Sequence, residues 1–216
     1  MHRLTFLGLG LVAVLASAGW RMTHCCSRET IFEPKTNPPE AAPLCPWRQP
    51  EADMNRLFPG ATRYEHRTRI LSGQRVELAE RLGRQPAGEE NALHLYRVYR
   101  ESTFLGTILL RRVKGEHGAI ELVVAADPEH QISGILLQRL REPEPAADAL
   151  QNPEWLRRFT GRSAESMAQF GKEIGAIPNE ARSSAGAIVE GVRSGLILLA
   201  AADGADRAGQ VATLHH

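Results

Sequence analysis

The sequence predicts an α+β domain, with an antiparallel β-sheet packed against helices. Strand-like segments follow one another in the middle of the chain, at residues 93–100, 104–113, 119–126 and 132–140. Helical patterns stand before and after this block, and strands followed by helices are typical of an α+β fold. The connections between the strand-like segments are short, which favours an antiparallel meander, because parallel neighbours need long crossover connections.

The strand-like segments are identified by side-chain patterning. In the first of them, apolar residues alternate at Leu93 and Leu95 and again at Tyr96 and Val98. Residues 120–124 form a nearly continuous apolar run, which is typical of a buried strand. These patterns predict a sheet whose central strands lie in the core.

A helix is predicted before the strands. Ser72 is a candidate N-cap, Leu71 and Val76 have the spacing of a hydrophobic staple, and Gly83 ends the helix. The apolar stripe of this helix is predicted to be Val76, Ala79 and Leu82.

Two short helices are predicted after the strands. Asn152 is the candidate N-cap of the first, which has Pro153 in its first turn and stops at Gly161. Ser163 is the candidate N-cap of the second. The apolar side of the second helix is predicted to be Met167, Phe170 and Ile174.

The last predicted helix begins at Ser183 or Ser184, either of which can cap it. Its apolar stripe is Ile188, Val192, Leu196 and Leu199. Residues 203–216 have no sustained period and are predicted to form a flexible tail. The folded domain is therefore predicted to span residues 53–202, opening with a turn at residues 56–60.

The composition fits one globular domain with additional segments. The chain has 216 residues, 43% of them hydrophobic, and a formal net charge of +1. This balance argues against a nucleic-acid binder, which carries a basic face. No glycine-rich phosphate loop, metal-ligand spacing or nucleophile elbow occurs in the sequence, so no catalytic or metal-ligating residue is predicted.

Residues 1–30 have the pattern of a targeting segment. An apolar run from Thr5 to Gly19 follows a short polar start and is shorter than a usual membrane span. Ala16-Ser17-Ala18 suits a signal peptide with a cleavage site, whereas Trp20 and Arg21 suit an uncleaved signal-anchor formed by residues 4–20. Either alternative exports the rest of the chain to the periplasmic or another extracytoplasmic side of the membrane.

Residues 31–52 are rich in proline and are predicted to form a linker. The three cysteines lie in or near this region, too few for a disulfide scaffold. One of the neighbours Cys25 and Cys26 could pair with Cys45 in an oxidising compartment. The simpler interpretation is a set of unpaired or loosely paired thiols in the tether.

Several short stretches share their order and spacing with one protein family. They are Leu57–Ala61 (LFPGA), residues 118–127 with 132–135, Arg141-Glu142-Pro143, residues 153–161 and the Ser183-Ser184 helix start. With these stretches, the chain from Leu57 to Leu199 resembles the FMN-binding domain family. That family includes the flavin subunits of Rnf- and Nqr-type electron-transport complexes and the exported domain of NosR.

The resemblance implies a flavin site at the start of the last helix. The family motif there is S-G-A-T-x-[ST]-S, and its threonine carries FMN through a phosphoester bond in the covalent members. In this chain Ala181 stands where that threonine stands, and Glu180 precedes it. Because alanine has no hydroxyl, the resemblance implies noncovalent FMN.

The cofactor-binding residues that the resemblance implies are Arg182, Ser183, Ser184 and Glu142. The first three lie at a helix N-terminus, which favours a phosphate group, and Glu142 lies in the loop expected to face the flavin ring. Each residue also has a plain structural interpretation: the serines as helix caps, Arg182 as a surface charge and Glu142 as a solvated loop carboxylate.

Two main functions stay open at this point, beside a remoter redox role for Cys25, Cys26 and Cys45. The first is an exported, membrane-tethered domain that transfers electrons through noncovalent FMN, without turning over a substrate. Its partners would be redox proteins or a membrane electron-transport complex, and no nucleic acid. The second is a cofactor-free interaction module that kept the fold and binds a partner in such a membrane complex.

Overall fold

The computed structural model of the protein describes residues 45–172, 174 and 177–213, with side chains as far as residue 204. At its centre is a five-stranded antiparallel sheet in which each strand pairs with the next one along the chain. The strands are β1 (Arg63–Ile70), β2 (Ala92–Arg100), β3 (Thr103–Lys114), β4 (Ala119–Ala126) and β5 (Ile132–Arg139). The predicted α+β fold class and the antiparallel meander are confirmed.

Strand β1 is the one that the sequence did not predict. It reads RYEHRTRI, with polar residues on both faces, and most of its side chains are exposed or half-buried. The strand exists because it pairs along its whole length with β2, from Arg63 opposite Tyr99 to Ile70 opposite Ala92. As an edge strand it needs little burial of its own, so hydrophobic patterning does not reveal it.

Six helices surround the sheet within the described residues. They are α1 (Pro50–Leu57), α2 (Arg75–Leu82), α3 (Ala146–Gln151), α4 (Pro153–Arg157), α5 (Ala164–Phe170) and α6 (Arg182–Thr213). The larger hydrophobic cluster lies between one face of the sheet and helices α2 to α6. A smaller cluster covers the other face, where Trp47, Met54, Leu57 and Phe58 pack on β2 to β5.

Helix α6 lies close against strand β3. A Cβ added at Gly191 would lie 2.3 Å from Val113 Cγ1, and one added at Gly195 would lie 3.0 Å from Leu109 Cδ2. These two glycines therefore allow the backbones to approach. Residues Asn179–Gly204 are apolar and long enough to cross a membrane, but 72% of the 18-residue apolar window within them is buried inside the domain. Its apolarity is explained by its place in the core.

The predicted N-caps of the two short helices are confirmed. Asn152 accepts a hydrogen bond from the backbone N–H of Glu154, and Ser163 accepts one from Ser166. The apolar side of α5 is also confirmed for Met167 and Phe170, which are fully buried. Ile174 lies beyond the end of this helix.

The predicted start of α2 is wrong. Residues Ser72–Gln74 form a 3-10 turn, and the α-helix begins only at Arg75. In this helix Leu78 and Leu82 are buried in the core, while Val76 is 77% exposed. The staple between Leu71 and Val76 therefore does not form. The predicted end is confirmed, because Gly83 adopts the left-handed conformation with φ 73°.

Both predicted boundaries of the folded domain differ from the structure. Residues 45–52 lie in the predicted linker, yet Cys45 and Trp47 are buried and α1 begins at Pro50. At the other end, α6 continues to Thr213 instead of giving way to a tail at residue 203. The stretch 203–213 contains no proline and several alanines, which suit a helix.

The targeting segment lies outside the described residues, as do Cys25 and Cys26, so the signal or anchor and the disulfide pairing stay predictions. Cys45 is a free thiol among the described residues. Burial and the nearby Glu121 carboxylate raise its pKa, despite a hydrogen bond from Gln138. This thiol is therefore poorly ionised and unsuited to exchange in its present place.

Candidate functional site

The structure brings two of the four predicted cofactor residues together around the turn between β3 and β4. Glu142 follows strand β5, and Ser184 lies in the first turn of helix α6. The turn between the strands runs from Gly115 to Gly118, and the Gly115 N–H donates to the Gly118 carbonyl at 2.7 Å. Both Glu142 and Ser184 make hydrogen bonds to this turn.

Glu142 was expected to be either a cofactor contact or a solvated loop carboxylate. It is not solvated, because its side chain is 0% exposed. Its Oε2 lies 2.9 Å from His117 Nδ1, and its Oε1 accepts the His117 backbone N–H at 3.3 Å. Burial disfavours the charge on this carboxylate, but hydrogen bonds from His117 and Ser184 outweigh burial and lower its pKa. The turn and the helix thus hold a buried, ionised glutamate between them.

Ser184 does not cap helix α6. A 3-10 turn at Asn179–Ala181 leads directly into the helix, which begins at Arg182. The Ser184 hydroxyl instead accepts the backbone N–H of Glu116 at 2.8 Å and also bonds to Glu142. Its role in the described structure is to join the β3–β4 turn to the helix.

Glycine 115 shows how tightly this contact is packed. A Cβ added at Gly115 would lie 2.3 Å from Glu142 Oε1 and 3.0 Å from Ser184 Oγ. Real Cβ atoms do not approach an oxygen that closely, so only glycine allows the two side chains to sit on the turn. The space beside Glu142 and Ser184 is filled by the protein itself.

The other two predicted residues point elsewhere. Arg182 and Ser183 are exposed on the surface of α6. Ala181, which stands at the position of the family's flavin-bearing threonine, is 0% exposed and belongs to the core. Glu142, Ser184 and position 181 as placed do not fit FMN, because Glu142 and Ser184 are enclosed by protein contacts and position 181 has neither a hydroxyl nor access to solvent.

Two cavities that the structure describes lie away from these residues. One, of about 260 Å³, is lined by α1, β5 and α4, including Arg48, Arg56 and Leu136. The other, of about 290 Å³, lies between α5 and α6 beside Met167 and Val189. Neither of these two cavities is lined by Glu142, Arg182, Ser183 or Ser184.

An arginine-rich face on strands β1 and β2 was missed by the sequence reasoning. The two strands carry five arginines and one glutamate. The Arg63 guanidinium lies 4.2 Å from the ring centre of Tyr99, and that of Arg97 lies 4.3 Å from the ring centre of Phe104. The alternating arginines of residues 63–69 were a visible signal, but they mark a face only once β1 is known to be a strand.

Glu65 is the acidic residue within this arginine face. It accepts hydrogen bonds from Arg63 at 2.6 Å and from Arg67 at 3.2 Å, and these bonds lower its pKa. All three side chains are more than one-third exposed, so solvent screens their attraction. We call Arg63, Arg67 and Arg97, with the rings of Tyr99 and Phe104, the arginine face.

No protein-family model matches the chain, and the comparison with curated proteins gives no match. The resemblance to the FMN-binding domain family therefore remains a prediction made from the residues. Within the described part of the chain, no group of three or more His, Cys, Asp or Glu side chains is placed to hold a metal ion.

Proposed function

We propose that this chain is an exported, membrane-tethered interaction module with an FMN-binding-like fold, which docks on a partner in a membrane electron-transport complex. The observation that carries this choice over a flavin carrier is the packing of Glu142 and Ser184 onto Gly115. A cofactor site needs polar groups that are open to the ligand, whereas the side chains of Glu142 and Ser184 already make their hydrogen bonds to the β3–β4 turn.

The arginine face supports docking on an acidic partner surface. Stacking on Tyr99 and Phe104 holds the guanidinium groups of Arg63 and Arg97 in place, so less side-chain freedom is lost on binding. Arginine is also enriched at the centres of protein interfaces. Five arginines against one glutamate on β1 and β2 concentrate positive charge in a chain whose formal net charge is only +1.

An absorbance spectrum tests the absence of flavin. The full chain, expressed with its N-terminal segment intact, is expected to be colourless and to leave added FMN free in equilibrium dialysis. Yellow colour released by acid precipitation would instead indicate noncovalent flavin. Colour retained in the precipitate would indicate covalent flavin. Either coloured result would refute the cofactor-free proposal.

Charge reversal tests the docking surface. In detergent extracts of membranes from the producing cells, the wild-type chain is expected to co-migrate with a redox-active complex. The double variant Arg63→Glu with Arg67→Glu is expected to abolish this co-migration. Arg157→Glu is the matched control, because Arg157 is 74% exposed on α4, outside the arginine face. If the control loses co-migration and the double variant keeps it, the arginine face is not the docking site.

A second candidate function is noncovalent FMN binding for electron transfer. The observation that favours it is the exposure of Arg182 and Ser183 side by side in the first turn of the long helix α6. A helix N-terminus attracts phosphate, and Arg182 adds positive charge. This candidate predicts uptake of FMN that is lost in the double variant Arg182→Ala with Ser183→Ala and retained in Arg157→Ala.

A further inference from the structure

We infer that His66 and His94 form a binding site for a divalent transition-metal ion, with Cu²⁺ as the preferred ion. The two imidazoles stand on neighbouring strands, with His66 Nε2 3.2 Å from His94 Nδ1. Their rings are nearly parallel, 7° apart, with centres separated by 5.4 Å. This site is separate from the arginine face and from the Glu142 contact, and it does not depend on the proposed function.

The strand pairing places the two histidines on the same face of the sheet. His66 is paired with Tyr96, and His94 is paired with Thr68, so the histidines are diagonal neighbours across β1 and β2. The His66 ring also lies 5.0 Å from the Tyr96 ring. Successive side chains alternate between faces, so Arg67 projects from the opposite face and leaves its positive charge away from the pair.

The distance between the two nitrogens suits a shared metal ion. Imidazole nitrogens bind Zn²⁺ or a similar ion at about 2.0–2.1 Å. Two such ligands side by side on one ion are then about 2.9 Å apart at a right angle and about 3.3 Å apart at the tetrahedral angle. The observed 3.2 Å lies between these limits, so the two nitrogens already have the separation that a shared ion requires, and only the imidazole rings have to turn towards it.

The proton balance also allows this replacement. In the ion-free pair, one ring nitrogen donates its hydrogen to the lone pair of the other. When the ion binds, that proton moves to the second nitrogen of the donor ring, and both facing nitrogens offer lone pairs to the ion. The pair therefore holds the same number of protons before and after this exchange.

The donor set indicates which ion binds best. Imidazole suits Cu²⁺, Zn²⁺ and Ni²⁺, and affinity along this series is highest for Cu²⁺. The Thr68 hydroxyl lies 3.3 Å from His94 Nδ1, so an oxygen atom stands beside the pair. Water completes the coordination, because His66 is exposed.

Tryptophan fluorescence provides a local readout for Cu²⁺, which quenches nearby indoles. Trp47 lies 4.8 Å from the Tyr96 ring, and Tyr96 adjoins His66. Trp155 belongs to the hydrophobic cluster on the other face of the sheet. All fluorescence variants carry Trp20→Phe, because Trp20 lies close in sequence to His24, Cys25 and Cys26. In this full-length background, Cu²⁺ is expected to quench the emission of the Trp155→Phe variant strongly and that of the Trp47→Phe variant weakly.

The histidine variants decide the assignment. In the Trp155→Phe background, His66→Gln and His94→Gln are each expected to raise the apparent Kd for Cu²⁺ about tenfold or more. His130→Gln is the matched control and is expected to leave this Kd unchanged. Unchanged quenching in both His66→Gln and His94→Gln, or an equal loss in His130→Gln, would overturn the inference.

Equilibrium dialysis with Zn²⁺ gives a second, independent measurement. Other histidines and cysteines of the chain are common to all variants, so only differences in stoichiometry count. The wild-type chain is expected to bind one more equivalent of Zn²⁺ than His66→Gln, with both proteins showing the same far-ultraviolet circular dichroism. Equal stoichiometry in two folded proteins would overturn the inference.

Discussion

Replacing Glu90 by glutamine removes the charge from a buried ion cluster. The Glu90 carboxylate is almost completely buried, and it accepts bonds from Arg84 at 2.7 and 2.8 Å, from Arg111 at 2.7 Å and from the Ala87 backbone N–H at 2.8 Å. Burial opposes ionisation, but the hydrogen bonds and the Arg111 charge lower the pKa of Glu90 to about 2. A neutral amide leaves the partly buried Arg111 without its counter-charge.

The expected loss of stability follows from this pKa. A decrease from 4.5 to about 2 corresponds to about 3 kcal/mol of stabilisation at neutral pH. Arg84 is 41% exposed, so solvent screening reduces the part of this stabilisation that its ion pair with Glu90 provides. We therefore expect Glu90→Gln to lower the free energy of unfolding by about 2–3 kcal/mol at pH 7.

The pH dependence has a definite sign. A carboxylate with a lowered folded pKa stabilises the protein above its unfolded pKa, and this stabilisation is lost as the pH falls. The difference in unfolding free energy between wild type and Glu90→Gln should therefore shrink as the pH falls from 4.5 towards 2. Urea unfolding followed by circular dichroism measures it, with the exposed neighbour Glu89→Gln as the control. A difference that stays constant from pH 7 to pH 3, or a control that loses as much stability, would refute this reasoning.

Two further predictions concern the Glu142 contact and the start of α6. Gly115→Ala should cost about 1–3 kcal/mol of unfolding free energy, because its Cβ would lie 2.3 Å from Glu142 Oε1. Gly186→Ala should instead stabilise α6, because a Cβ added there would meet no atom within 4 Å outside the helix's own nearby backbone. Equal urea midpoints for Gly115→Ala and Gly186→Ala would contradict these two expectations. Ala181→Thr should lower the melting temperature by overpacking the core, and it should acquire no covalent flavin, as checked by in-gel fluorescence. A fluorescent, fully stable Ala181→Thr protein would show that position 181 is accessible to flavin.

Strands β2 to β5 could be predicted because their apolar residues follow the period of a buried strand. The caps at Asn152 and Ser163 could also be predicted, since a cap bonds to a backbone group only two or three residues away. Strand β1 could not be predicted, because pairing with β2 stabilises it and its own sequence is polar. The helical continuation after residue 203 was missed for a related reason, because a helix can continue without an apolar stripe.

The candidate site was only partly predictable. Resemblance to a family pointed to Glu142 and Ser184, and the structure does bring them together. The sequence did not show that both would be satisfied by the β3–β4 turn, with Gly115 between them. That arrangement depends on how three separate segments pack, and no short stretch of sequence encodes such packing.

Sequence patterns alone were enough to predict the α+β class, strands β2 to β5, the N-caps of α4 and α5 and the end of α2 at Gly83. These features depend on neighbours within a few residues, so local patterns suffice to predict them. The burial of polar groups and the partners they contact follow from the packing of distant segments, as with Glu90 between two arginines, Glu142 on the β3–β4 turn and His66 beside His94. The reason is physical: the cost of burying a polar group is offset by partners that strand register and helix packing bring from distant parts of the chain.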